Sequence, residues 1–478
     1  MGLSVTLPLW LVLLLAVPAA VAVVEFFLLP GVRWYFRRKM NRMIDEVNTR
    51  FNMEIPEFKL TRRQVLIDRL FHDDKVRAAV AQCCMQEGVP RAEVLARVNS
   101  YAREIVPSFN AYAYFRWGYA IAKHYARWLY RVRLGYTDSA ALAALNPRSS
   151  VVFVMNHRSN MDYVLVAFLA AERTALSYAV GEWARVWPLQ SLIRSMGAYF
   201  VRRNSGDPLY RAVLQRYVQM ATEGGVPQAV YPEGGLTLDG KLRTPKLGLL
   251  DYMLKAFNPR GERDLVFIPV GINYDRVLED RTLLRKLDTG AARTSVLSVA
   301  SVASAGAATL RFFVRNLWLM LTGRWYRYGY ACVNFGRPVS MREHVAKHAI
   351  DFRVLNDAER HTAVSEVGAI LMAAIRDVIP VLPVSLVANV LLRAQGKALA
   401  EIDLKARSFA LVQQLEARGA HVYVPRSDLD YAIGVGLRML TLRRIVVEKA
   451  GLYCVAEGEQ AVLEYYANAI APLVEGLK

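Results

Sequence analysis

A chain of 478 residues is long enough to bury a sizeable core and to divide into more than one domain. It carries 61 Lys and Arg against 42 Asp and Glu, a formal net charge of +19, with a sequence pI of about 9.8 and a mean hydropathy of +0.18. Such a charge calls for anionic partners. No zinc-finger spacing, RNP-type motif or Arg/Gly-rich tail accompanies it, which argues against nucleic acid and favours membranes and phosphorylated substrates.

Residues 3–29 are almost wholly apolar, interrupted by Pro8, Pro18 and Glu25. That is enough for a membrane-spanning helix, which takes about 20 apolar residues. A basic cluster follows (Arg33, Arg37, Arg38, Lys39, Arg42) and, by the positive-inside rule, assigns the rest of the chain to the cytoplasmic side. Residues 1–39 are therefore read as a membrane anchor with its basic flank. Ala20-Val21-Ala22 imitates a signal-peptidase site, but no charge precedes the apolar run. The two prolines also permit a broken helix lying in the interface.

Residues 40–145 read as a helical domain, with apolar-periodic stretches such as RAEVLARVNSYAREIV. Its segment 109–136 is aromatic and basic together, and is expected to be either a packed core helix or a helix on acidic lipid. Cys83 and Cys84 fall here; with Cys332 and Cys454 they show no C-x-x-C spacing. The four together fit a reducing, cytosolic setting, and adjacent Cys83 and Cys84 are read as small buried hydrophobes.

From 146 to 345 the pattern becomes α/β. Short β-branched runs occur at 151–155, 198–201, 228–231 and 265–270, with helix-like stretches such as 208–224 and 246–257 between them. Strands alternating with helices predict βαβ crossovers and a mainly parallel sheet flanked by helices. Functional residues in such sheets gather beyond the carboxyl ends of strands. All four runs end in polar or conformationally special residues, which predicts a single site. Residues 296–323 are apolar, and Arg311 and Arg315 disfavour a second span. A further strand is expected at 331–339. The remainder, 346–478, reads as mostly helical with a short hairpin near GLYCVAEG.

The first run ends in Asn156-His157, and Asp162 follows five residues after the histidine. A histidine at a strand end can present its ring to a cleft. An aspartate in the next helical turn can bind the other ring nitrogen, as general-base catalysis on an alcohol requires. No G-x-S-x-G elbow is present, so the activated hydroxyl is expected to belong to the substrate. An isolated H-x-x-x-x-D arises often by chance; the preceding strand and the helix-capping Ser159 and Asn160 give it context. Arg202 and Arg203, at the end of the second run, are suited to phosphate, although surface arginines alone have no such meaning. Glu233 is placed to bond a substrate hydroxyl, and Gly234 and Gly235 to let the backbone approach a ligand. Lys241, Arg243 and Lys246 add charge. Pro269 is read as a wall or rigid turn.

NHRSNMD, GAYFVRR, YPEGG…GK…PKLGLL and IPVGINYDRV occur in the order and spacing of the four blocks of the glycerolipid acyltransferases. The chain resembles the membrane-bound glycerol-3-phosphate acyltransferase branch most, also through VNFGRPVSM, IPVLPVSLVANVLL and LEYYANAI. The resemblance covers roughly 145–475. It implies the family's sheet-and-helix fold and acyl transfer from acyl-CoA or acyl carrier protein to the sn-1 hydroxyl of glycerol 3-phosphate. His157 would be the base and Asp162 its partner. Arg202, Arg203, Glu233, Gly234, Gly235 and Lys246 would hold the acceptor, and Pro269 would lie in the donor block. No metal or prosthetic group is implied. A bacterial inner membrane rich in anionic phospholipid is the implied location. One departure stands out: where the family's third block continues Arg-Ser-Arg, this chain has Leu236, Thr237 and Leu238. The alternatives are therefore another acceptor (lysophosphatidic acid, dihydroxyacetone phosphate or another lipid alcohol) or a non-catalytic lipid-binding membrane protein.

Overall fold

The computed structural model describes residues 56–110, 114, 118–170, 176–180, 194–202, 205–288 and 327–477. The expected anchor and the apolar stretch 296–323 lie outside them. Among the described residues no helix is long and apolar enough to cross a membrane. Pro56–Lys478 is one compact unit.

Its centre is a mainly parallel sheet in the order β1-β7-β6-β2-β5-β3-β4, with β8 pairing β6. The strands are β1 (Arg131–Thr137), β2 (Ser150–Met155), β3 (Ser177–Val180), β4 (Tyr199–Phe200), β5 (Gln228–Val230), β6 (Leu265–Tyr274), β7 (Tyr330–Phe335) and β8 (Val339–Ser340). Strand β2 lies parallel to both β5 and β6, whereas β7 and β8 run antiparallel to β6. Every residue of β2 and β6 is buried, as the apolar runs require when both sheet faces are covered. Val152, Val154 and Phe267 face a layer formed by α1 (Arg63–His72), α2 (Asp74–Glu87), α3 (Arg91–Ile105), α6 (Pro208–Glu223), α7 (Gly248–Leu254) and α10 (Asp357–Asp377). Phe153, Met155, Ile268 and Val270 face the opposite layer. That layer contains α4 (Tyr119–Leu129), α5 (Met161–Ala170), α11 (Pro383–Arg393), α13 (Leu429–Leu442) and α14 (Gln460–Ala467). The expected hairpin is present as β9 (Val446–Lys449) and β10 (Leu452–Val455), and all four cysteines are free thiols.

Two elements differ from the sequence reading. The segment 109–136 is not one helix: α4 stops at Leu129 and β1 follows. Gly135 permits this, because a Cβ there would stand 2.2 Å from Asn334 Oδ1. The same oxygen accepts the Tyr136 amide at 2.8 Å. Strand β6 continues past the expected end at 270 to Tyr274. Pro269, which has no N–H, falls where the pairing edge passes from β8 (opposite Phe267) to β7 (opposite Val270). No ladder bond is lost there, so a proline is tolerated in a central strand.

Candidate active site

Strand β2 hands over to the site through Asn156. Its side chain extends the β2–β6 ladder, donating to the Ile272 carbonyl at 2.9 Å and accepting the Ile272 amide at 2.8 Å. The main chain is then free to turn at His157. The His157 amide donates to Glu233 Oε1 at 2.8 Å, and its carbonyl accepts the Thr237 amide at 3.0 Å. Its Nδ1 lies 2.9 Å from Asp162 Oδ2, with the two side chains 2% and 0% exposed. The ring stacks on Tyr231 at 4.0 Å between centroids and meets the edge of Tyr163 at 5.4 Å.

Asp162 sits in the first turn of α5. Besides His157 it accepts the amides of Arg158 at 2.8 Å and Ser159 at 3.1 Å on Oδ2, and the Tyr274 hydroxyl at 2.5 Å on Oδ1. Four donors thus fix one carboxylate, which fixes one ring. Nδ1 is engaged, so Nε2 is the nitrogen left for substrate. Glu279 braces the same turn, accepting from Ser159 Oγ at 2.7 Å and from the Asn160 amide at 3.2 Å. Burial raises the Glu279 carboxyl above its ordinary range, against the pull of those donors.

A cavity of about 420 Å³ opens at His157, with Arg202, Gly234, Gly235 and Lys246 in its wall. Five of the expected site residues therefore share one space. Glu233 stands behind it, 3% exposed. Its oxygens bind the amides of His157 and Arg243, so it joins the dyad loop to the glycine loop. Burial pushes its carboxyl up to about 7, with those two amides pulling the other way. Gly234 (φ +67°) does not leave its open side vacant for a ligand: a Cβ there would meet Lys246 Cδ at 2.5 Å. Arg202 lies on the wall but is paired in a bidentate manner with Glu104, at 2.9 and 2.6 Å, and stacks over Tyr101 and Tyr210. Arg203 lies outside the described residues. Pro269 is inside β6, not on the cavity wall. Leu236 and Leu238 are half-buried against the apolar layer that contains α11 and α14.

The sequence reading passed over several side chains. Tyr274 comes from β6, and its approach to Asp162 has no local signal. Tyr231 was quoted within YPEGG but given no part, and Tyr163 was not singled out. Arg211, in the first turns of α6, also lines the cavity. Arg158 is 2% exposed; it donates to the carbonyls of Gly240 at 3.0 Å and Tyr465 at 3.4 Å and lies over the Tyr465 ring.

Through such contacts α14 touches three loops, one after each of β2, β5 and β6. Tyr465 meets Arg158. Its carbonyl approaches Gly240 so closely that a Cβ at 240 would lie 2.1 Å away. Next to α14, Asn468 donates to the Asp239 carbonyl at 2.9 Å. Tyr466 accepts the Val277 amide at 3.0 Å and donates to Asp280 at 2.5 Å.

The buried His-Asp pair at the carboxyl end of the mainly parallel sheet falls within residues 139–273, which the family described as Acyltransferase matches. The family described as Glycerol-3-phosphate acyltransferase C-terminal region matches residues 316–474. Together the two matches support membership of the glycerolipid acyltransferases. It is 28% identical over 379 residues to the glycerol-3-phosphate acyltransferase of Xanthomonas campestris, covering 77% of this chain and 41% of that one. With the glycerol-3-phosphate acyltransferase of Pseudomonas putida it shares 25% identity over 426 residues, 86% of this chain and 49% of that one. The chain thus spans about half the length, or less, of the curated relatives it matches. The solved 1-acyl-sn-glycerophosphate (LPA) acyltransferase of Thermotoga maritima is 18% identical, covers 65% of this chain and 96% of that one, and has a TM-score of 0.31. That likeness is too low to carry an argument.

Proposed function

We propose that this chain transfers a fatty acyl group from a thioester, acyl-CoA or acyl carrier protein, to the sn-1 hydroxyl of glycerol 3-phosphate, giving lysophosphatidic acid and a free thiol. The observation that carries the reading is the buried His157–Asp162 pair opening on a cavity. His157 Nε2 takes the acceptor's hydroxyl proton as the oxygen attacks the thioester carbonyl. The tetrahedral intermediate then expels the thiolate, which recovers the proton from the imidazolium. Asp162 holds the tautomer that leaves Nε2 as the base and balances the charge that develops on the ring. The step calls for no metal or prosthetic group.

Arg202, Arg203, Glu233, Gly234, Gly235 and Lys246 are assigned to the acceptor side and Pro269 to the donor block, as the family's pattern implies. Glu233 acts through the main chain it braces, and Pro269 through the strand it shapes. The N-terminal 39 residues anchor the enzyme to the cytoplasmic face of a bacterial inner membrane, whose anionic phospholipid complements the net charge of +19. A second reading keeps the chemistry and changes the acceptor to lysophosphatidic acid or another lipid alcohol. Its support is specific: Leu236 and Leu238 stand where the family carries arginines.

Thiol release from palmitoyl-CoA by purified membranes tests both, with glycerol 3-phosphate, lysophosphatidic acid or no acceptor and a His157→Ala control. Release dependent on glycerol 3-phosphate and on His157 is expected. Release with the lysolipid alone would install the second reading, and none with any acceptor would leave a lipid-binding protein without this activity.

A further inference from the structure

The acceptor reading requires a seat for a phosphate, and the loop arginines that the family would use are absent. Leu236 and Leu238 turn into the apolar layer and are not part of the cavity wall. Arg202 is on the wall, but both oxygens of Glu104 already engage its guanidinium. Two other cations remain on the wall, Arg211 and Lys246. Neither has a carboxylate partner among the described residues.

Lys246 is delivered there by construction. Its amide donates to the Pro232 carbonyl at 2.8 Å, and its methylene stem crosses Gly234 in the space a side chain would fill. Lys246 is exposed as a residue, with its stem held against Gly234. Arg211 projects from the first turns of α6, which Asp207 caps through the amides of Leu209 and Tyr210. Its charge is close enough to Tyr252, also on the wall, to act on that hydroxyl. The cavity wall therefore holds Tyr163 and Tyr231, which pack on the His157 ring, together with one guanidinium and one ammonium that have no carboxylate partner among the described residues.

Resting on the acceptor reading above, we propose that Arg211 and Lys246 seat the phosphate monoester of the acceptor, in place of the missing loop arginines, and that Gly234 serves to lay Lys246 across the cavity wall. A fork and a point charge together satisfy a dianion that neither neutralises alone.

The test is titration calorimetry of glycerol 3-phosphate, with glycerol as the uncharged control, into the full-length protein carrying His157→Ala, so that no turnover is needed. It is paired with steady-state kinetics in the otherwise wild-type enzyme. Arg211→Ala and Lys246→Ala are each expected to raise Kd and KM for glycerol 3-phosphate about tenfold or more, about 1.4 kcal/mol, and to leave KM for the thioester unchanged. Arg211→Lys should recover part of the loss, and Gly234→Ala should imitate Lys246→Ala. Wild-type binding that none of these substitutions weakens would overturn the seat and leave the activity standing. If only lysophosphatidic acid is used, the acceptor reading fails while the seat survives, provided that both alanine variants raise the lysolipid's KM. If they do not, both fail.

Discussion

Asp162 owes its geometry to Tyr274 as much as to the five-residue spacing that made it visible. The spacing was legible because histidine and aspartate lie on one strand-to-helix turn. The tyrosine was not, because its contact closes only when β6 comes to lie beside β2. Two outcomes follow. His157→Ala is expected to lower transfer by about 10²–10⁴-fold, with Asp162→Asn costing less because the ring remains. Tyr274→Phe should lower kcat several-fold with KM unchanged, since the hydroxyl steadies the dyad without reaching the cavity. Steady-state kinetics on purified variants reads both, and a change confined to KM would place Tyr274 in binding. Gly234 shows the opposite case. Its residue type was informative, but its open side receives Lys246, which only the folded loop could reveal. Leu236 and Leu238 were legible as a departure. Their half-burial adds that restoring arginine at both positions should destabilise the protein, by about 1 kcal/mol or more in urea unfolding.

At the scale of elements, strands with β-branched runs were readable, whereas β1 was not. Arg131–Thr137 is an edge strand of alternating charge and apolarity, and its partner β7 lies nearly 200 residues away. Helix propensity in the neighbouring segment therefore masked it. Where β6 ends, Asp275 is buried and accepts the amides of Tyr330 at 2.8 Å and Val384 at 3.1 Å, the latter in the first turn of α11. Burial pushes its carboxyl up to about 7, with the two amides opposing. An unfolded aspartate titrates at about 3.9, so between these values the folded chain keeps a proton that the unfolded chain has lost. The stability contributed by the protonated form is full below about pH 4 and is lost as pH rises through about 7. The Tm of the wild type relative to Asp275→Asn is therefore expected to decline across that window, and parallel curves would show that Asp275 does not titrate there. Arg202 belongs to this scale too. It ties β4 to α3 through Glu104, and a double-mutant cycle in urea should return a coupling of about 1 kcal/mol for this partly exposed pair.

Over the whole molecule, the anchor and the phosphate-seeking charge were inferred from composition, but what the C-terminal helices do had no sequence signal. Their work is done by side chains that LEYYANAI offered only as a point of resemblance, with no part assigned: Tyr465, Tyr466 and Asn468, each meeting a loop more than 180 residues upstream. Tyr466→Phe removes the hydroxyl shared by Val277, Asp280 and Arg443. It should cost about 1–3 kcal/mol in urea unfolding, and a loss below about 0.5 kcal/mol would mean that the helix is merely adjacent to the loops.

This arrangement has a consequence in time. A ribosome making the chain from its N-terminus completes the dyad, the glycine loop and the Val277 turn long before it makes residues 460–470. The nascent chain therefore carries these three loops for the whole of the intervening synthesis, while the brace that sets them against one another is still to come. The bracing of these loops is complete only once residues 460–470 have been made.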